Sequence, residues 1–325
     1  MNMREIIYSL PDQISEAIAL VRNVHVSRRR LGRVLICGMG GSGISGEILA
    51  ASYPEIEIIA NKDYGVPKYL GRDTLGILIS YSGNTEETLN NYRILSKRKI
   101  PLVAVTSGGE LLEKKVDLRI KIPKGFPPRG ALGYLFAPLP LILNKYRLIN
   151  MNPEKELAAL VKFLKEERND LEKAGAMLAK RFINKMPVIY ANSQSFGVVA
   201  NRWRCQLNEN AKIICHTNII PEMNHNEIVG IGRPEGLSQG TIVVFLNDPL
   251  AYRRNKVRVQ VVKEVIKDFI KSIIEIEPRG SNTLERMFWT IMLGDFISYY
   301  IAVKDGIDPM PIKRIEYLKK RLSDL

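Results

Sequence analysis

The sequence predicts an α/β protein made of two doubly wound parallel-sheet domains, and three observations lead to this fold class. Short β-branched runs alternate with helical stretches, and Gly, Ser or Asn separates each pair. The runs are apolar on both faces, as expected for parallel strands that helices cover on both sides. The chain has 325 residues, which suffice for about two domains of roughly 100 to 200 residues each.

The first half begins with a predicted helix at residues 14–24, indicated by the spacing of its apolar residues. Strands are expected at residues 34–37, 56–60, 76–80, 102–106 and 118–122. Helices are predicted to begin near Gly41, Thr85 and Glu110, and another to cover residues 131–146. Because proline fits the first turn of a helix, Pro153 marks a boundary. We therefore expect an N-terminal domain at residues 1–150 and a C-terminal domain at residues 151–325.

The second half repeats this plan after a long charged helix that reaches about residue 182. Strands are expected at residues 188–190, 213–215, 242–245 and 273–276. Even the first strand, turn and helix recur, because VLICGMGGSGISGEIL and PVIYANSQSFGVVANRW place their small residues alike. An apolar C-terminal helix around residues 287–303 is expected to belong to the core rather than to an interface.

The chain is basic, since 48 Lys and Arg against 34 Asp and Glu leave a net charge of +14. This charge favours an anionic partner without choosing among nucleic acid, a membrane surface and a phosphorylated metabolite. One basic run at near-helical spacing predicts a solvated helix face, with a polyanion-binding stripe as the alternative. The run comprises Arg253, Arg254, Lys256, Arg258, Lys263, Lys267 and Lys271.

The three cysteines, Cys37, Cys205 and Cys215, cannot all pair and show no CxxC spacing. We therefore expect a reducing compartment, the cytoplasm by default, and no zinc site. The N-terminus acquires acidic residues too early for a signal peptide, and Pro138 and Asp295 interrupt the longest apolar runs. No membrane span is expected.

A glycine-rich turn, Gly38-Met-Gly40-Gly41-Ser42-Gly43, follows a predicted strand and opens a helix, where free N–H groups and the helix dipole favour an anion. The turn fits the dinucleotide pattern G-x-G-x-x-G. Dinucleotide binding also requires an acidic residue at the end of the second strand, where it binds a ribose. Asn61 stands there instead, so nicotinamide binding is disfavoured.

A second turn, SYSGNT at residues 80–85, brings three hydroxyls around a glycine at the start of another helix. Both turns could converge on one phosphate, because each hydrogen bond to a charged group contributes roughly 1.5–3 kcal/mol. The alternative is ordinary N-capping by Asn84 or Thr85, with Glu87 in a capping box. The candidate phosphate ligands are Gly40, Gly41, Ser42, Ser80, Ser82 and Thr85.

The string ISYSGNTEET resembles the sugar isomerase (SIS) family. GMGGSG, PPRGALGYLF, QLNENAK, PEMNHNEIVG and DPMPIKRIEYLKKRL extend a resemblance to the archaeal bifunctional phosphoglucose/phosphomannose isomerases. The resemblance implies two flavodoxin-like SIS domains. It also implies a metal-independent, cofactor-free isomerase that converts glucose 6-phosphate and mannose 6-phosphate to fructose 6-phosphate through a cis-enediolate. The expected assembly is a homodimer with its active site near the subunit interface, without nucleic-acid or membrane partners.

The resemblance also implies four catalytic residues. Glu209 would be the base that makes both proton transfers. Arg129 would face the enediolate oxygens, and His225 would assist ring opening, within its own chain or across the dimer. Lys319 would protonate the ring oxygen, with the adjacent Lys320 as the alternative.

The resemblance supports glucose activity more directly than mannose activity, because the family has a small polar residue near the C-terminal lysine where this chain has Met310, Pro311 and Ile312. Two other function classes stay open. A sugar-phosphate-binding regulator would normally carry a DNA-binding domain, for which the residues before Gly38 leave no space. A glucosamine-6-phosphate isomerase or deaminase is the other, whereas an amidotransferase would need an N-terminal cysteine domain, which this sequence lacks.

Overall fold

The computed structural model describes residues 1–324; Leu325, the last residue of the predicted C-terminal domain, lies outside the described residues. The chain divides into two compact units. The N-terminal unit comprises Ile6–Asn169 and Arg279–Trp289. The C-terminal unit comprises Met1–Glu5, Asp170–Pro278 and the chain from Thr290 onward.

The helices, in chain order, are α1 (Met3–Tyr8), α2 (Leu10–Arg22), α3 (Gly40–Ser52), α4 (Glu86–Lys97), α5 (Gly109–Glu113), α6 (Leu132–Phe136), α7 (Pro138–Lys145), α8 (Pro153–Ala179), α9 (Gln194–Gln206), α10 (Glu235–Gln239), α11 (Arg253–Ile266), α12 (Thr283–Lys304) and α13 (Lys313–Ser323). The predicted starts of α3, α4 and α5 are confirmed to within one residue. No described helix combines the length and apolar character needed to cross a membrane.

The sheet of the N-terminal unit has five parallel strands in the order β2-β1-β3-β4-β5, the flavodoxin-like order. Its strands are β1 (Arg33–Cys37), β2 (Glu57–Asn61), β3 (Thr74–Ser80), β4 (Leu102–Thr106) and β5 (Leu118–Lys121). All residues of β3 and β4 are buried, which explains their continuous apolar runs. Cys37 at the end of β1 is fully buried, and burial raises the pKa of its thiol to about 12.

The sheet of the C-terminal unit repeats the first four positions of that order as β7-β6-β8-β9, again parallel. Its strands are β6 (Met186–Ala191), β7 (His216–Ile219), β8 (Thr241–Leu246) and β9 (Ser272–Ile276). The predicted class of two doubly wound parallel sheets is thereby confirmed.

Two predicted elements are wrong. The strand expected at residues 213–215 lies later, at β7, because the Ile213 N–H donates to the Leu207 carbonyl and closes the preceding helical turn instead. The neighbouring Ile214 is 80% exposed, so its apolar side chain joins no core. The single helix expected at residues 131–146 is divided into α6 and α7, because Pro138 lacks an N–H and begins a new helix.

Candidate functional site

The predicted site residues fall into two groups, one in each unit. In the N-terminal unit, the turns after β1 and β3 lie side by side, because these strands are neighbours in the sheet. The chain winds from β1 to β2 on one side and from β3 to β4 on the other. This is a topological switch point, where open α/β sheets bind ligands outside the carboxyl ends of their strands.

The first turn is packed so closely that Gly38 and Gly41 have no room for side chains. A Cβ on Gly38 would lie 2.9 Å from the Ile79 carbonyl oxygen, and one on Gly41 would lie 2.9 Å from the Pro128 carbonyl oxygen. The N-cap residue of α3, Met39, makes no side-chain capping bond. The backbone dipoles of its first turn are therefore available to an anion.

In the second turn, the side chain of the N-cap residue does not cap the helix that follows. Ser80 and Thr85 share a hydrogen bond of 2.8 Å between their side-chain oxygens, and Ser80 is buried. Thr85 is the N-cap residue of α4 but its side chain makes no capping bond, and the Asn84 side chain accepts instead from the Glu110 N–H of α5. The alternative of capping by Asn84 or Thr85 is therefore wrong.

The remaining phosphate candidates differ in exposure. Ser42 is 4% exposed, whereas Ser82 is exposed and its hydroxyl accepts from the Asn84 N–H at 3.3 Å. Gly83 between the hydroxyls has φ +75°, and a Cβ there would lie 1.7 Å from the Gly108 carbonyl oxygen. Glycine is therefore required by both backbone angle and space.

Arg129 lies in the same unit, on the short 3-10 helix Pro128–Gly130 that packs against Gly41. It is 3% exposed, so its side chain is buried within this unit. The buried Gln13 of α2 donates to the Gly130 carbonyl at 2.9 Å and accepts from the Gly133 N–H at 3.2 Å. Gln13 thus fixes the Arg129 segment.

Two residues of this group escaped the sequence analysis. Gln13 could have been found as a glutamine at an apolar position of an amphipathic helix. Lys62 follows β2, and its side chain lies over Gly43 of the first turn and pairs with Glu47 of α3. Nothing in the local sequence indicates that contact, because it joins two elements across the edge of the sheet.

The second group lies in the C-terminal unit, around Glu209. Here α9 continues as a π-helical turn, Leu207–Ala211, which ends at Lys212 in the left-handed conformation. Single π-helical turns are frequent at functional sites. Glu209 is half-buried and lines a cavity of about 450 Å³ together with Lys212, Pro311 and Ile312.

Polar contacts in the interior support this turn. Arg202 of α9 and Asp295 of α12 form a buried ion pair with N–O distances of 2.8 and 3.3 Å. Asn210, fully buried next to Glu209, donates to the Ser298 hydroxyl at 3.0 Å. Because unpaired buried polar groups are costly, these contacts hold α9 and its turn in one register against α12.

His225 is exposed at the end of the 3-10 helix Glu222–His225. The segment after it is anchored through Glu227, which accepts hydrogen bonds from Tyr190 and Asn218 at 2.6 Å and contacts His216 Nε2 at 3.0 Å. Burial alone would raise the pKa of Glu227, but these hydrogen bonds outweigh it, and the pKa lies below its ordinary value.

Lys319 and Lys320 are exposed on α13, and neither lines the Glu209 cavity of this unit as the structure describes it. Its lining lysines are Lys212 and Lys313. Among residues 1–324, no three His, Cys, Asp or Glu side chains are grouped as metal ligands.

Two family profiles match the chain. The SIS domain matches residues 29–131, and the bacterial phospho-glucose isomerase C-terminal SIS domain matches residues 172–322. The fold is also similar to that of a candidate phosphosugar isomerase from Clostridium difficile, with a TM-score of 0.76, 15% identity, and coverage of 96% of this chain and 95% of that chain. At that identity the likeness shows the fold alone.

Curated relatives cover nearly the whole sequence. The chain is 37% identical to a bifunctional phosphoglucose/phosphomannose isomerase from Caldicellulosiruptor bescii, over 99% of each chain. It is 35% identical to the protein of the same name from Aquifex aeolicus, over 89% of this chain and 90% of that one. Sequence, domain profiles and fold together show that the chain belongs to the family of bifunctional phosphoglucose/phosphomannose isomerases, enzymes built on two SIS domains.

Proposed function

We propose that this enzyme is a metal-independent aldose–ketose isomerase that interconverts glucose 6-phosphate and mannose 6-phosphate with fructose 6-phosphate through a cis-enediolate. The observation that carries the proposal is the switch point, where two hydroxyl-bearing turns lie side by side and the buried Arg129 segment packs against one of them. The names of the relatives supply the substrate class. In this proposal residues 1–150 contain the phosphate-binding loops and residues 151–325 the base.

The phosphate of the substrate is proposed to bind at the two turns, through backbone N–H groups and side-chain hydroxyls. Neutral donors at a helix start suit a dianion, since no counter-charge must be displaced when it binds. The ligands would be Gly40, Gly41, Ser42, Ser80, Ser82 and Thr85.

Glu209 is proposed to remove the proton from C2 of the open-chain aldose and to return it to C1, so that the carboxylate is regenerated in each cycle. Arg129 would stabilise the charge that develops on the enediolate oxygens, and its burial supports a fixed guanidinium. His225 would assist ring opening from its exposed segment. Lys319, or the adjacent Lys320, would protonate the ring oxygen.

The mannose branch needs no further catalytic group. Glucose and mannose phosphates differ only at C2, so one enediolate that rotates about C2–C3 can be reprotonated on either face by the same carboxylate. The wall of the Glu209 cavity at Pro311 and Ile312 would then limit the room for this rotation.

A homodimer and a cytoplasmic location complete the proposal. Three apolar side chains of helix α13 are at least 38% exposed in the single chain: Ile315, Leu318 and Leu322. Their exposure supports a dimer in which a second copy of the chain buries them. Cys37 and Cys215 are buried thiols with pKa values raised to about 12 by burial, as suits a protein of a reducing compartment.

The decisive experiment compares Glu209→Gln with the wild type on glucose 6-phosphate, mannose 6-phosphate and glucosamine 6-phosphate, with and without chelator. We expect the variant to bind sugar phosphate but to lose isomerisation of both neutral sugars by roughly 10²–10⁴-fold. Glu264→Gln, on the exposed face of α11, is the matched control and should keep wild-type rates. Normal rates in Glu209→Gln, release of ammonia, or inactivation by chelator would each contradict the proposal.

A further inference from the structure

Lys212 makes an unusual set of contacts at the end of the Glu209 turn. Its ammonium lies 2.5 Å from the Glu209 carbonyl oxygen, 2.7 Å from that of Pro311 and 3.4 Å from that of Pro309. An ammonium has three N–H donors and no acceptor. Three backbone carbonyls from two separate segments therefore surround one side chain.

The backbone of Lys212 makes this choice of residue informative. Its φ of 60° lies in the left-handed region, where the N–H of Lys212 donates to the Leu207 carbonyl and ends the turn. Glycine, or asparagine, is the usual residue at such a helix end, because other side chains are strained there. Backbone conformation alone thus favours glycine at position 212. The hydrogen bonds of the ammonium are what lysine provides there and glycine cannot.

The two segments that Lys212 joins both face the same cavity. Glu209 lines it from the π-helical turn, and Pro311 and Ile312 line it from the segment that precedes α13. Prolines at 309 and 311 have no N–H to offer, so this segment has fewer backbone hydrogen bonds of its own to hold it. The carbonyl contacts of Lys212 substitute for them.

We infer that Lys212 is a positioning residue: it locks the Glu209 turn to the Pro309–Pro311 segment and so fixes the carboxylate relative to the wall beside it. The inference rests on the proposed role of Glu209 as the base. Small displacements of a reacting group cost on the order of 10²-fold in rate. Because both sugars share one base, loss of the lock slows both by the same factor.

The test uses Lys212→Gly and Lys212→Arg, with Lys304→Met as control. Glycine relieves the left-handed strain, so Lys212→Gly should fold with a thermal midpoint at or above that of the wild type. It should nevertheless lower kcat by about 10-fold to 100-fold on both sugars, with KM changed less than about threefold. Arginine, which retains donors, should recover part of the loss. Lys304→Met removes an exposed lysine at the end of α12 and should change neither constant.

The outcomes separate this inference from the proposed function. A wild type without isomerase activity, or an active Glu209→Gln, defeats the proposed function itself. If the wild type is active and Glu209→Gln is not, the inference is overturned by a Lys212→Gly variant with wild-type kcat. It is equally overturned by a loss confined to one sugar, or by a loss that follows a lowered thermal midpoint.

Discussion

Ser80 Oγ and Thr85 Oγ1 lie 2.8 Å apart across the turn after β3, so one hydroxyl holds the other at the switch point. Ser80 Oγ also accepts from the Gly83 N–H at 3.0 Å. These two contacts make Ser80 the centre of the turn.

Ser80→Ala should raise KM for both sugar phosphates by about 10-fold to 100-fold, because a hydrogen bond to a charged group contributes roughly 1.5–3 kcal/mol. In the proposed site the phosphate would be bound equally in the ground and transition states, so kcat should change little. Steady-state kinetics on both substrates provide the measurement. Ser96→Ala, an exposed position of α4, should leave both constants unchanged. A wild-type KM for Ser80→Ala would remove the hydroxyls from the proposed site.

Gly41→Ala should lower kcat/KM by roughly 10-fold or more, since its methyl group would lie 2.9 Å from the Pro128 carbonyl oxygen and displace the Arg129 segment. Gly32→Ala is a matched control, because nothing lies within 4 Å of the added carbon. The control should be as active as the wild type and equally stable or slightly more so. Equal activity of the two variants would show that the contact between the turn and Arg129 is irrelevant to catalysis.

The stability of the C-terminal unit should depend on pH through Glu227. Its pKa is lower in the folded chain than its ordinary value, so the carboxylate contributes stability that is complete above the ordinary range and is lost as pH falls through the folded pKa. Urea unfolding from neutral to acid pH should therefore show a wild-type advantage over Glu227→Gln that shrinks on acidification. A difference between the two proteins that is the same at every pH would contradict this assignment.

Continuous apolar runs made the sheets predictable, and β4 agrees with its prediction at both ends. The apolar run at residues 213–215 predicts a strand that does not form there. Lys212 before it ends the π-helical turn in the left-handed conformation, and the local sequence pattern does not indicate that conformation. Pro138 indicates the break between α6 and α7, although the apolar pattern around it predicts a single helix.

In the candidate site, too, local motifs identify some residues, whereas contacts between residues distant in sequence are not predicted. The motifs are local: Ser80 ends β3, Arg129 lies on a short 3-10 helix and Glu209 lies on the π-helical turn after α9. The residues that hold them act over long sequence separations. Gln13 bonds to Gly130, 117 residues away, and one sequence carries no record of such a contact.

The buried thiol of Cys37 has a chemical consequence for the glycine-rich turn after β1. It comes directly before Gly38, and with a pKa near 12 it stays protonated at physiological pH. Thiolates, rather than thiols, are the species that alkylating agents and peroxides attack. Oxidative damage should therefore spare this part of the enzyme while the chain stays folded, and the proposed phosphate site should not vary with the redox state of its surroundings.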